Sequence, residues 1–457
     1  MMVDSPKRQM GVWAATAVVT GEAISLGIFL TPAGMAKSLG SPALLAAVWC
    51  GMAAITLAGA LCFTELAVRN PQDGGEYVYL RRGFGRHVAF LYGWMAAVVM
   101  YPGVAAALAV GTVPYLQALL PIPGRLAGAA PAAILLALGA LNYFGTRLSS
   151  AVMAALNWLK VPVLAALVGW AFVSGHATMA NVLPLATRRP GADPLMDGIA
   201  GAAISAFFCF GGWWEAGKIA GEVRNPSRNL AVAFSGGVMI VTAIYLLLSF
   251  AFVAVVPMQQ IQSNSAFVAL FGEALFGAAG GRVLAVCVVL CVLGGLLVLT
   301  MAVPRVTVAL AQGETGNAAH GALAAFARLH PRFGTPANAV LLQTGMALLI
   351  LTLGAFDRIL AYIIFPSVVF LALTAATLFR AITPVRRWWY PVAPLVFIAG
   401  SGVLAVMLLL HNPGAALLGA GIVLCGWPVR WILLRRSGRE QPVRNEATTE
   451  EELIPEP

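Results

Sequence analysis

Charge is scarce in this chain: only 10% of its 457 residues are Asp, Glu, Lys or Arg, while 60% are hydrophobic. A soluble globular domain uses about a quarter charged residues, so that class is excluded and a polytopic membrane protein is indicated. Cysteine is sparse as well. Cys50, Cys62, Cys209, Cys287, Cys291 and Cys425 all fall in apolar segments, without the clustering of a disulfide framework or a thiolate metal site, and buried packing is expected of them. The five histidines, His87, His176, His320, His330 and His411, sit near segment ends or in loops without metal-ligand spacing. With no catalytic dyad at membrane depth either, an intramembrane enzyme lacks its machinery, and neither metal nor cofactor is expected. Lys7 and Arg8 precede an apolar run, but no small-residue cleavage site follows and the run contains Glu22, so a retained first span is expected rather than a leader.

What the chain does have is apolar runs of the length that crosses a bilayer, about 20 residues. They place twelve expected spans at 10–38, 42–68, 86–118, 126–146, 150–174, 198–220, 231–256, 282–308, 337–354, 358–380, 390–410 and 414–434. The basic residues choose a side. With the N-terminus inside, the inside loops hold Arg69, Arg81, Arg82, Arg86, Arg147, Arg224, Arg228, Arg328, Arg332, Arg380, Arg386, Arg387, Arg435, Arg436 and Arg439. The outside loops hold little beyond Arg125, Arg188, Arg189, Arg282 and Arg358. This asymmetry follows the positive-inside rule, so both termini are expected to be cytoplasmic. The net charge of +10 then reads as topological, and no nucleic-acid partner is expected. Residues 257–281 read as an outside re-entrant or surface helix pair, and 312–336 as an inside interfacial helix. The tail 435–457, polar from Ser437 and carrying Glu450, Glu451 and Glu452, is expected to be disordered.

Two of the spans are interrupted. In the first, Thr20-Gly21-Glu22-Ala23-Ile24-Ser25-Leu26-Gly27 brings two glycines, a serine and an acid to mid-helix, and Thr31-Pro32 follows. In the sixth, Phe207-Phe208-Cys209-Phe210-Gly211-Gly212-Trp213-Trp214-Glu215 does the same. Broken backbone in hydrocarbon leaves amides unsatisfied at several kcal/mol each unless it lines a cavity. The breaks lie five spans apart, and an odd number of spans turns a repeat upside down relative to its copy. Paired broken helices at matching positions therefore point to an inverted-repeat transporter with its binding site between them.

At these residues the sequence resembles the amino acid, polyamine and organocation transporter superfamily, and within it the branch of L-type amino acid transporters and related bacterial permeases. Gly27-Ile28-Phe29 and Thr31-Pro32 match the end of the family's first-span pattern. Pro71-Gln72-Asp73-Gly74-Gly75-Glu76-Tyr77, Tyr92-Gly93-Trp94, Gly221-Glu222-Val223-Arg224-Asn225-Pro226 and His330-Pro331-Arg332-Phe333-Gly334-Thr335-Pro336 follow in the family's order. The resemblance implies an all-α membrane protein with a LeuT-type 5+5 inverted repeat. Its first repeat would cover 10–174 after a cytoplasmic 1–9, and its second 198–380, with spans eleven and twelve at 390–434 peripheral. It also implies that Ile24, Ser25, Leu26 and Gly27 offer N–H groups to a substrate carboxylate. Phe207, Phe208, Phe210 and Gly211 would surround the ammonium end, and Phe208 matches the family's aromatic gate.

Departures from the pattern bear on selectivity. Ser25-Leu26-Gly27 stands where the family has Gly-Ser-Gly, so Leu26 either narrows the pocket or faces away from it. Trp214, beside Trp213, either gates the pocket or packs against neighbouring spans. Lys160, in Leu156-Asn157-Trp158-Leu159-Lys160-Val161-Pro162, carries a cation into the fifth span, where it costs about 2.5 to 3.5 kcal/mol at the centre. Related permeases imply that a lysine here stands in for sodium, which makes Lys160 and the nearby Glu22 the candidates for ion coupling. Glu65, Glu215, Lys218 and Glu222 read as span-end residues paired with arginines or solvated at the interface, in the role of gate or packing elements.

The expected function is a sodium-independent secondary transporter of neutral amino acids, working by proton symport or exchange in a bacterial inner membrane. Its expected partners are the amino acid, a proton or counter-substrate, and the bilayer. Polyamine or cationic amino acid transport is the alternative that Glu22 favours, and a non-transporting sensor is the alternative of another class. The loop Leu119 to Gly124 lacks the cysteine with which L-type carriers bind a heavy chain, so no disulfide-linked partner is expected.

Overall fold

A computed structural model of the protein describes residues 10–24, 27–70, 75–120, 122–144, 162–257, 260, 267–315, 323–354, 356–380 and 389–436. Helices occupy nearly all of them in the order α1 (Val12–Ala23), α2 (Gly27–Leu39), α3 (Pro42–Arg69), α4 (Glu76–Phe84), α5 (Arg86–Met95), α6 (Tyr101–Leu119), α7 (Gly124–Phe144), α8 (Pro162–Val173) and α9 (Met179–Val182). There follow α10 (Leu195–Phe210), α11 (Pro226–Val255), α12 (Phe267–Phe276), α13 (Ala278–Thr315), α14 (Ala324–Ala327), α15 (Ala337–Ile350), α16 (Phe356–Ala376), α17 (Val392–His411), α18 (Pro413–Leu424) and α19 (Gly426–Arg436). A five-residue π-helical turn, Ala96–Met100, joins α5 to α6, and a 3-10 segment, Trp213–Glu222, follows α10.

Among the described residues nine helices are long and apolar enough to cross a membrane. Shorter apolar helices stand at Pro162–Val173 and Ala337–Leu353, where the fifth and ninth spans are expected, and the first expected span is divided into α1 and α2. The chain is an integral, multi-pass membrane protein. Its starts and stops follow local chemistry. Ser41 accepts from the Leu44 N–H at 3.4 Å with Pro42 just inside α3, a position where proline's missing donor costs nothing.

Two packed groups stand out among the described helices, with α16 in contact with both. In one, α3 packs along α11, α11 along α1, and α10 along α2. In the other, α6 packs against α7, α13 and α15. The interrupted helices run in opposite directions across the first set. At one face, the Arg224 N–H donates to the Met10 carbonyl at 2.9 Å, which joins the start of α1 to the end of the 3-10 segment. At the opposite face, Arg188 caps the end of α2. Its Nε donates to the Leu39 carbonyl at 3.0 Å and its Nη2 to that of Ser38 at 3.4 Å, where helix carbonyls lack partners and the dipole favours a cation.

Several expectations need correction. The first inside loop contains a helix, α4, whose end is tied to α3 through Arg82 and Asn70. Of the expected interfacial helix over 312–336, residues 312–315 belong to α13, and within the described residues 323–336 helix is confined to the four residues of α14. A turn closed by His330 N–H to the Thr335 carbonyl at 2.7 Å, with Gly334 at φ 65°, takes the chain into α15 instead. The glycine-rich stretch before the eighth span forms α12, folded back on α13 around Gly277, at φ 73°. Cys62, Cys209 and Cys291 are buried as expected, whereas Cys50, on α3, and Cys425, between α18 and α19, are exposed. Glu65 is paired with Arg69 at 2.6 Å, one helical turn on.

Candidate functional site

The two interruptions meet. α1 ends at Ala23, Ile24 leaves helical geometry at φ −76°, ψ 67°, and α2 begins at Gly27. This is the expected position. The second break falls within the expected stretch 207–215, at its glycines: α10 continues through Phe207, Phe208, Cys209 and Phe210, and the chain turns at Gly211 and Gly212. Gly212 has φ 95°, a left-handed conformation that costs glycine little and other residues more. The aromatic run ahead of it keeps its helix because nothing in Phe-Phe-Cys-Phe competes with the backbone hydrogen bonds.

Gly27 and Cys209 form the crossing point. A Cβ on Gly27 would lie 2.8 Å from the Cys209 Cα and 2.9 Å from its Sγ, so the close approach of α2 and α10 requires glycine. Thr31, one turn along α2, donates to the Gly27 carbonyl at 3.0 Å, and its Oγ1 lies 2.8 Å from the Cys209 Sγ. With the threonine proton used within α2, the thiol is the donor across the crossing.

One side chain holds both breaks. Tyr245, fully buried in α11, places its hydroxyl 2.6 Å from the carbonyl of Ala23 and 2.8 Å from that of Cys209. Each carbonyl belongs to the end of a helix whose last turn has lost its intrahelical donors. The hydroxyl has one proton to share between the two acceptors. The ring is fixed by Trp49 at 5.2 Å and Phe210 at 5.4 Å between centroids, and Trp49 and Phe210 also face each other at 6.0 Å. Phe210 is therefore committed to packing behind the break.

The two tryptophans divide the roles left open for them. Trp213 is a core residue, edge-on to Phe63, Phe234 and Phe397 at 4.9, 6.2 and 6.1 Å. Trp214 folds back over the break: its ring lies parallel to that of Phe207 at 6.2 Å, and its edge would be 3.5 Å from a Cβ on Gly211. Its indole N–H is buried and meets no acceptor among the described residues. Phe208 is half-buried, on a different face of α10 from Phe207 and Phe210.

Ile24, Gly27, Phe207, Gly211 and Trp214 are thus brought to one pair of breaks, with Phe208 one residue along α10. Ser25, Leu26 and Lys160 lie outside the described residues, as does the side chain of Glu22. The helix α6 adds two residues that sequence reasoning missed. The Tyr115 hydroxyl donates to the Phe29 carbonyl of α2 at 2.7 Å, and the Tyr101 hydroxyl donates to Oε1 of Glu215 at 2.7 Å. Tyr245 was missed as well. Its partners are main-chain carbonyls, which have no sequence signature, and a tyrosine in an apolar helix reads as ordinary core. The arrangement sets the end of α10 beside the start of α2, with Tyr245 bonded to a carbonyl at each break and the rings of Phe207 and Trp214 stacked over the second.

Comparison with known proteins agrees in kind. The amino acid permease family matches residues 10–432. The serine/threonine exchanger SteT of Bacillus subtilis is 26% identical over 94% of this chain and 98% of its own length. The Asc-type amino acid transporter 1 of Mus musculus is 26% identical over 93% of this chain and 80% of its own. The large neutral amino acids transporter small subunit 2 of Homo sapiens is 28% identical over the same shares, 93% and 80%.

Proposed function

The chain belongs to the amino acid permease family, and from that premise we propose that it is a secondary transporter moving neutral α-amino acids across a membrane by alternating access. The observation that carries this reading is the meeting of two oppositely directed, interrupted helices at Gly27 and Cys209, with Tyr245 bonded to the broken end of each. A helix that only crossed lipid would leave these carbonyls to its own backbone. Interrupting both at the same depth makes a polar cavity lining where the bilayer otherwise admits none.

In this reading the chain has twelve spans, the first ten forming a LeuT-type inverted repeat over 10–174 and 198–380. The opposed runs of α1–α2 and of α10 with its 3-10 segment support it, as do the two packed groups of helices. The start of α2 at Ile24 to Gly27 receives the carboxylate, because a helix N-terminus presents free N–H groups and positive dipole. The end of α10, at Phe207 to Gly211, receives the ammonium. Phe208 and Trp214 close over the side chain, and Lys160 with Glu22 serves ion coupling without sodium. Exchange is favoured over symport by the name of the Bacillus subtilis relative. The arginine distribution supports cytoplasmic termini, and the Bacillus subtilis relative supports a bacterial inner membrane.

The test is uptake of a panel of labelled amino acids by purified protein in liposomes, with and without internal amino acid, a pH gradient and sodium. Saturable uptake of a neutral amino acid, stimulated by internal amino acid and indifferent to sodium, is the expected result. Absence of uptake under every condition refutes the transport reading.

A further inference from the structure

Tyr101 and Tyr115 stand 14 residues apart on α6, a separation of about 21 Å along the axis at 1.5 Å per residue. Fourteen residues at about 100° each bring the second tyrosine back to within about 40° of the first, so both project from one side of the helix. Both reach the broken helices from that side, and they take hold of different halves. Tyr115 donates to the Phe29 carbonyl, two residues past the start of α2, on the half of the first broken span that leads to Leu39. Tyr101 donates to Glu215, in the first turn of the 3-10 segment, on the half of the second broken span that leads to Val223. The two halves run to opposite faces of the molecule, as the Met10–Arg224 and Arg188–Leu39 contacts place them.

Each bond also crosses between the two sets of helices, because α6 packs with α7, α13 and α15 while α2 and the 3-10 segment pack with α1, α3, α10 and α11. The approach of Tyr101 is set by the π-helical turn Ala96–Met100 immediately before it. A π turn inserts one residue, which rotates the following helix by about 100° relative to an uninterrupted one. α6 thereby faces its tyrosines to the breaks while α5 keeps its own packing.

We propose that Tyr101 and Tyr115 are positioning residues of the transport cycle, two side-specific latches carried on one rigid helix. Tyr101–Glu215 holds shut the face that carries Met10, and Tyr115–Phe29 holds shut the opposite face. The inference rests on the alternating-access reading. In the present structure both latches are made. Opening one face requires the half-helix on that side to leave its tyrosine while the other bond stays. A single helix bearing both latches supplies the fixed reference against which each half moves. Glu215 gives the first latch a side-chain carboxyl acceptor, and Phe29 gives the second a main-chain carbonyl.

The experiment is hydrogen–deuterium exchange by mass spectrometry on the full chain in lipid nanodiscs, comparing the unaltered protein with Tyr101→Phe and Tyr115→Phe. Each variant keeps the ring and loses only the hydroxyl, and each is the control for the other. Tyr101→Phe is expected to speed exchange about three- to tenfold in peptides covering 213–223 and 12–23, with 27–39 unchanged. Tyr115→Phe is expected to speed exchange in 27–39 and 195–208, with 213–223 unchanged. Uniform acceleration in both variants, or no change in either, overturns the latches. Glu215→Leu is expected to reproduce the Tyr101→Phe pattern, and a Tyr115→Phe pattern from it would equally overturn the assignment. The exchange readout needs no substrate. Absence of amino acid uptake by the unaltered protein would defeat the transport reading alone, and a failed split in an active protein would defeat the latches alone.

Discussion

Gly27→Ala is the sharpest perturbation of the crossing. The added methyl would sit 2.8 Å from the Cys209 Cα and 2.9 Å from its Sγ. Carbon atoms pack comfortably at about 3.5 Å and beyond, so α2 and α10 must part by about 0.7 Å at the breaks. A rotamer change cannot relieve this, because the nearer atom belongs to the backbone. Overpacking of this kind costs about 1–3 kcal/mol, which is a roughly five- to hundredfold shift away from the closed crossing. Separation there also draws the Ala23 and Cys209 carbonyls away from their shared donor, Tyr245. The assay is amino acid exchange in proteoliposomes, normalised to monodisperse protein recovered in detergent. Gly34→Ala is the control, since a Cβ at that position on α2 meets nothing within 4 Å. Gly27→Ala is expected to reduce exchange at least fivefold and Gly34→Ala to leave it unchanged. Adding Cys209→Ala to Gly27→Ala should restore only part of the loss, because the clash with sulfur is relieved while the clash with the main chain of α10 persists. Gly27→Ala exchanging as fast as the control would refute the packed crossing, and full restoration by Cys209→Ala would refute the clash with the main chain.

Two further outcomes follow from the same geometry and from the sequence. Tyr245→Phe removes the proton shared by two buried carbonyls, a change of about 1–3 kcal/mol, and is expected to raise hydrogen exchange in peptides spanning both 20–28 and 208–213; a response confined to one of them would show that the hydroxyl does not link the breaks. Lys160→Ala is expected to insert normally yet lose uptake or its pH dependence, and unchanged uptake from pH 5 to 8 would remove Lys160 from the coupling scheme.

What could be read from the sequence was what depends on local chemistry. The scarcity of charge and the apolar runs required a multi-pass membrane protein, since bilayer thickness and the cost of burying charge act on each segment separately. The interruption at Ile24 to Gly27 was legible for the same reason, as glycine and polar residues weaken a helix wherever they occur. The second break was legible within 207–215, and the structure narrows it to Gly211 and Gly212. Phe207 to Phe210 keep their helix, and the turn waits for Gly212, the residue that can adopt φ 95° cheaply.

Only the tertiary structure decided which surfaces meet. That Gly27 lies on Cys209, and that Tyr245, Tyr101 and Tyr115 reach the broken helices, depends on partners up to 222 residues apart in sequence. Three of the acceptors are main-chain carbonyls, which every residue has, so no residue type marks them. An apolar helix is hydrophobic on every side, and its periodicity does not say which face touches lipid and which touches protein. The π turn at Ala96–Met100, which sets the face of α6, likewise has no composition to mark it. The interrupted spans announced themselves locally; the tyrosines that hold them became visible only once packing had brought distant segments together.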